Sequence, residues 1–218
     1  MTATITALEA QKRNTERISV YLDGEFAFGL PSSEAARLRV GQTLSADEIA
    51  ALRQVDAVSR ATDRAVRLLA RRPYSTTEIR RNLASHEVAP SVIEDVIRKL
   101  ERLEYIDDLA FARYWIENRE RFKPRSPRAL RYELQQKGIA TDLIETALAD
   151  LDPHASARRA AEGKLRSLRG QTRDTFRAKL SAFLARRGFG FDEVRQVIDQ
   201  ISAELEETQP DFFANDEE

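Results

Sequence analysis

From about residue 60 to residue 205 the apolar side chains follow one ladder written three times. Ile79, Leu83, Val88, Ile93 and Ile97 recur as Leu130, Leu134, Ile139, Ile144 and Leu148, and again as Leu180, Leu184, Phe189, Val194 and Ile198. The copies are offset by 51 (130 − 79) and 50 (180 − 130) residues, and every rung keeps its register. Steps of four within each copy match one face of an α-helix. Self-similarity at a period of about fifty residues therefore predicts a helical unit stacked in tandem.

The start and stop signals agree with that unit. In the first copy, Ser75-Thr76-Thr77-Glu78 reads as a capping box, and Ser91 with Glu94 behind Pro90 opens a further helix. In the second, Ser126 is an N-cap with Pro127 at the first helical position, and Gly138 closes the helix as Gly188 does in the third. The matching position of the first copy is Glu87, which lacks glycine's freedom at a left-handed closing residue. Three helices per copy make nine. The expected fold class is mainly α: three tandem three-helix repeats forming a short, elongated, curved solenoid of about 60 Å, with a small N-terminal β-hairpin module. Arrays of this kind expose long faces, which favours an extended partner over a small molecule.

The first fifty residues differ in kind. Ile5 to Ala10 and Ile18 to Tyr21 are rich in β formers, and Asp23-Gly24 between Tyr21-Leu22 and Glu25-Phe26 is a hairpin signal. Ser32 to Leu38 reads as a short helix. Ser45-Ala46-Asp47-Glu48 is a second capping box, from which one amphipathic helix, or two, runs through Leu52, Val55 and Val58. The expected segmentation is 1–50 for the β module and short helices, 51–107, 108–152 and 153–205 for the three repeats, and 206–218 for an acidic tail.

Division of the charge by segment changes the picture that a net charge of −1 suggests. Residues 1–59 carry 6 basic and 8 acidic side chains, residues 60–200 carry 29 and 21, and residues 201–218 carry none and 7. A +8 array can neutralise phosphates; the tail, ending Asn215-Asp216-Glu217-Glu218, either solvates the chain or folds on the basic face. The chain has no cysteine, which removes disulfide frameworks, thiolate zinc sites and cysteine nucleophiles. Residues 1–11 lack the basic start and apolar run of a signal peptide, and no stretch reaches the ~20 apolar residues of a membrane span. A cytoplasmic protein is expected.

Basic residues cluster in two places. Arg113, Arg119, Arg121, Lys123, Arg125, Arg128 and Arg131 are interleaved with Tyr114, Trp115, Phe122 and Tyr132, and a second group contains Arg158, Arg159, Lys164, Arg166, Arg169, Arg173, Arg177 and Lys179. Lys and Arg bind phosphate oxygens and exposed aromatics stack on unpaired bases, so these groups are the candidate contacts for an anionic partner. Trp115, Ile116 and Phe111 lie at helical spacing and read as core. A major-groove recognition helix is disfavoured, because the third helix of each copy opens on acidic residues: Glu94-Asp95, Asp142-Glu145 and Asp192-Glu193. His86 and His154 fall in different repeats and form no acid–base pair, Asp107-Asp108 reads as an N-cap, and Gly24 and Gly29 make no phosphate loop. Neither catalysis nor a cofactor or metal is expected.

Several segments, taken in order, resemble the RecX family of RecA regulators: Arg72-x-x-Ser75-x-x-Glu78-Ile79-x-x-x-Leu83, Leu103-Glu104-Tyr105-Ile106-Asp107-Asp108-x-x-Phe111-Ala112, and Glu133-Leu134-x-x-Lys137-Gly138-Ile139. Arg186-Arg187-Gly188-Phe189 is similar to the family's third repeat, and Val20 to Phe26 to the β extension of its longer members. Glu104 stands where a glycine is expected, and Asn82 where a basic residue is frequent. The resemblance implies a negative modulator that binds the RecA filament on single-stranded DNA and limits its growth, ATP hydrolysis and strand exchange; an elongated monomer is expected because a repeat array needs no symmetric partner to complete its core. A nucleic-acid-binding repeat protein acting without a recombinase is the alternative.

Overall fold

The structure, a computed structural model, describes residues 2–12 and 14–214. It consists of two compact units, residues 1–106 and 107–218. Met1, Arg13 and the tail end Asn215 to Glu218 lie outside the described residues.

The first unit opens with four antiparallel strands, β1 (Thr2–Gln11), β2 (Asn14–Leu22), β3 (Glu25–Pro31) and β4 (Thr43–Ser45), in the order β3-β2-β1-β4. Asp23 (φ 49°) and Gly24 (φ 91°) are both left-handed, the geometry with which a two-residue loop matches the twist of its flanking strands. The module exceeds a hairpin because β1 pairs along β2 and the three-residue β4 pairs with β1. Ile5, Val20, Phe28, Leu30 and Leu44 fill its core, and Ile49, Leu52 and Val55 of the next helix pack on them. α1 (Ser32–Ala35) ends earlier than the sequence suggests: beyond it the bonds tighten to i→i+3, with the Arg37 amide donating to the Glu34 carbonyl and the Leu38 amide to that of Ala35.

A single 24-residue helix follows, α2 (Ala46–Leu69), started by both bonds of the Ser45/Glu48 box. The Ser45 amide and then its hydroxyl, both donating to the Glu48 carboxylate, hold it below its usual range. α3 (Thr76–Ala84) starts with the same device at Ser75 and Glu78. α4 (Pro90–Arg102) begins one residue before the expected cap: Pro90 is the first helical residue and Ala89 the N-cap, with no side-chain bond. Proline's missing N–H and preset φ serve in place of a capping oxygen. Glu87 (φ 59°) and Glu104 (φ 56°) both take left-handed backbone, so each turn keeps the shape a glycine would favour, at a cost of about 1–2 kcal/mol.

The second unit holds α5 (Asp108–Phe122), α6 (Pro127–Gln136), α7 (Thr141–Leu148), α8 (Pro153–Leu165), α9 (Arg173–Arg186) and α10 (Phe191–Thr208), with 3-10 turns at Arg166–Leu168 and Pro210–Phe212. Asp107 caps α5 by accepting from the Leu109 (2.8 Å) and Ala110 (3.0 Å) amides. Every rung of the ladder is buried except Val88, which is half-buried. The end of α9 meets the start of α6: the Ser126 amide donates to the Arg187 carbonyl at 3.2 Å. At Gly188 (φ +89°) a Cβ would come within 2.6 Å of Ser126 Oγ. After α10 the chain turns back, and Phe212 and Phe213 pack edge-on against Phe176.

Candidate nucleic-acid interface

The α5–α6 group forms around one carboxylate. Glu133 on α6, its side chain 15% exposed, accepts from Trp115 Nε1 at 2.7 Å, Arg119 Nε at 2.8 Å and Arg125 Nε at 3.0 Å. The Arg119 guanidinium also lies over the Trp115 ring, 4.4 Å from its centroid. Arg131 forms a two-pronged bond to Glu145 on α7 (2.6 and 2.8 Å), which raises its pKa and lowers that of Glu145. The same pair occurs 51 residues earlier as Arg80 and Glu94, so it ties the second to the third helix in two repeats. In the third repeat these positions, 50 residues on, hold Ser181 and Arg195, and Asp199 pairs with Arg177 and Arg195 instead.

Arg121, Lys123 and Arg128 are exposed and have no ion-pair partner among the described residues. Arg121 lies over the Phe122 ring at 5.2 Å. Phe122 (65%), Tyr132 (64%) and Tyr114 (39%) are exposed, whereas Trp115 is half-buried and Phe111 and Ile116 are core. Free cations beside exposed rings are the components of a single-strand site.

The α8–α9 group divides in the same way. Arg158 binds Glu204 (2.8 and 2.7 Å) and Glu162 (2.9 Å); bonding to Glu204 foremost raises its pKa and depresses that of Glu204. Arg159 pairs with Glu120, which also accepts from the buried Ser156 Oγ at 2.7 Å. Arg173 pairs with Glu206 at 3.2 Å. The Lys164 ammonium sits 5.8 Å from the Phe183 ring centroid. Arg166 and Arg169 are exposed without an ion-pair partner among the described residues. Arg187, absent from the candidates, donates to the Pro124 carbonyl at 2.8 Å; burial, then the nearby Arg125, lowers its pKa.

A third basic surface escaped the count by segments because its residues straddle the boundary at residue 60. Arg53, Arg60, Arg64, Arg67 and Arg71 follow at steps of 7, 4, 3 and 4, the spacing of one helix face. The first four line an open groove of about 1000 Å³ in the first unit, whose other wall is the α3–α4 turn and the β1–β2 end of the sheet. The spacing itself was the available signal.

Four family models match the chain in order. Residues 3–44 match the regulatory protein RecX N-terminal domain, and residues 61–100, 107–148 and 151–198 match the first, second and third RecX three-helix domains. Similar curated proteins carry the name "Regulatory protein RecX". That of Clostridium botulinum strain Eklund 17B is 30% identical over 211 residues, covering 93% of this chain and 99% of its own. This chain belongs to the RecX family. The Bacillus subtilis RecX is 30% identical over 208 residues (93% and 79% of the two chains), and that of Prosthecochloris aestuarii 39% over 142 residues (65% and 93%). A solved regulatory protein RecX superposes with a TM-score of 0.72 at 28% identity, covering 90% of this chain and 99% of that one. The RecX of Lactobacillus salivarius shares the fold at 20% identity (TM-score 0.58; 68% and 98%). Among the described residues, no three His, Asp or Glu side chains are grouped to hold a metal ion, and no helix is long and apolar enough to cross a membrane.

Proposed function

We propose that this RecX-family chain is a negative modulator of the RecA recombinase. It acts as a monomer on the RecA–single-stranded DNA filament, by binding rather than catalysis, and limits growth, ATP hydrolysis and strand exchange. The observation that carries this reading is the unbroken order of the four RecX domains over residues 3–198. Within the basic groups, Arg121, Lys123, Arg128, Arg166 and Arg169 are assigned to phosphate contact, because their charge is not already neutralised by a carboxylate. Arg119, Arg125, Arg131, Arg158, Arg159 and Arg173 serve first to hold helices together. The segmentation at residues 50, 107, 152 and 205 is retained as the working division of the chain.

The test is ATP hydrolysis by RecA on single-stranded DNA with this protein at ratios too low to coat the DNA. Hydrolysis is expected to fall. No change in hydrolysis, together with salt-sensitive DNA binding by the protein alone, would transfer the function to an independent nucleic-acid-binding protein.

A further inference from the structure

Arg53, Arg60, Arg64 and Arg67 share one face of α2, and Arg71 extends the row two residues past the end of the helix. On two other helices an arginine meets a carboxylate three or four positions away, Arg98 with Asp95 and Arg158 with Glu162. On α2 the suitably spaced acids are Asp56 and Asp63, and both are drawn toward Arg17 of β2. Arg17, its side chain 11% exposed, pairs with Asp56, reaches Asp63 at 4.0 Å and donates to Ser59 Oγ at 2.8 Å. Arg60 retains a share of Asp56 at 3.7 Å. Arg53, Arg64, Arg67 and Arg71 have no ion-pair partner among the described residues. A cation already held by a carboxylate releases little on meeting a phosphate, whereas an unpaired one contributes its full charge.

We infer that this arginine face, with the groove it lines, binds the phosphodiester backbone of a single DNA strand. The inference rests on the proposed function for the type of strand; the site itself follows from geometry. At 1.5 Å per residue, Arg53 to Arg67 spans about 21 Å of α2, which matches about six nucleotides of a stacked strand at ~3.4 Å each. A row of guanidinium forks along one helix face suits a polymer that carries one phosphate per unit. The apolar part of the groove lining is small, Ala57, Ala61, Val88, Ala89 and Val92, with no Phe, Tyr or Trp; its one ring, the His86 imidazole, is engaged through Nδ1 with the Asn82 carbonyl at 2.8 Å. The groove therefore holds backbone and leaves bases unread, so binding is independent of sequence.

The experiment measures fluorescence anisotropy of a labelled oligothymidine with the intact protein over a range of salt concentrations. The variants are R53Q/R67Q/R71Q, its charge-preserving counterpart R53K/R67K/R71K, and the comparison set R121Q/K123Q/R128Q. Arg53 and Arg67 on α2 and Arg71 just beyond it are exposed, so thermal melts should match the parent. With about 0.7 per phosphate contact on single strands, the glutamine variant should lower the slope of log K against log salt by about 2, and the lysine variant should restore it. An unchanged slope and affinity in R53Q/R67Q/R71Q would overturn the site, as would displacement of the oligonucleotide by polyglutamate as readily as by polyphosphate of equal charge, which would identify an acidic protein surface. RecA hydrolysis measured on the same samples separates the two claims. α2-dependent DNA binding without any effect on hydrolysis would keep this site and sink the regulatory reading. Intact regulation with an unchanged slope would do the reverse.

Discussion

Helices α2 and α5 open the first and second repeats, and the 51-residue offset that aligns the ladder also aligns them. Ala61 and Ala65 fall on Ala112 and Ile116, and all four are buried. The adjacent line of positions has diverged completely: Arg60 falls on Phe111 and Arg64 on Trp115. In the second repeat that line packs into the core and supports the Trp115–Glu133 bond. In the first it faces a groove, and the acids that could have neutralised it are held by Arg17 from the β module. A repeat can thus keep its core period while one flank of its first helix changes from packing to charge. An arginine's worth for binding depends on which acids its neighbours have already occupied.

The largest test of this comparison is its alignment. Leu83→Ala, Leu134→Ala and Leu184→Ala should each destabilise the protein by about 2–5 kcal/mol in urea unfolding, since all three are fully buried. Losses near zero at two of them would dissolve the equivalence on which Arg60 and Phe111 are compared. Next in size is Arg17→Ala, which leaves the Asp56 carboxylate, 11% exposed, without its main partner; a loss of about 3 kcal/mol is expected. It should also weaken oligothymidine binding, because Asp56 and Asp63 are then free to neutralise the α2 face. Stability lost with DNA binding unchanged would separate Arg17 from that face.

The turns come third. Gly188→Ala should cost about 2 kcal/mol, combining a left-handed backbone with a clash at Ser126. Glu87→Gly at the equivalent turn should stabilise by about 1 kcal/mol. Equal responses at the two turns would show that the repeats do not close alike. The smallest effect is expected from Arg131→Ala, a drop in melting temperature of about 2 °C or less. Its sign with pH follows from Glu145, whose pKa Arg131 depresses. The contribution is present above the ordinary carboxylate range and disappears as pH falls through the lowered value, so parent and variant should melt alike in acid.

Much of the fold was legible because it is local. Ser45, Ser75, Ser126 and Asp107 announce helix starts through bonds spanning two or three residues, and Asp23-Gly24 specifies its turn by backbone sterics alone. The three-residue β4 was not legible, since it becomes a strand only by pairing with β1. The basic groups were readable as composition, and of their members Arg121, Lys123, Arg128, Arg166 and Arg169 are exposed without an ion-pair partner among the described residues. The partners of the other basic residues were not readable, because Glu133 reaches Arg119 across 14 positions and Glu204 reaches Arg158 across 46.

The period of the apolar positions, read from the sequence alone, determined that three helical units share one core pattern, because helix faces and caps obey short-range geometry that any copy of the pattern must repeat. Which arginines retain an unneutralised charge was decided only by the tertiary structure. Ion pairing joins residues brought together by packing, as β2 brings Arg17 to Asp56 across 39 residues of chain, and no periodicity encodes that distance.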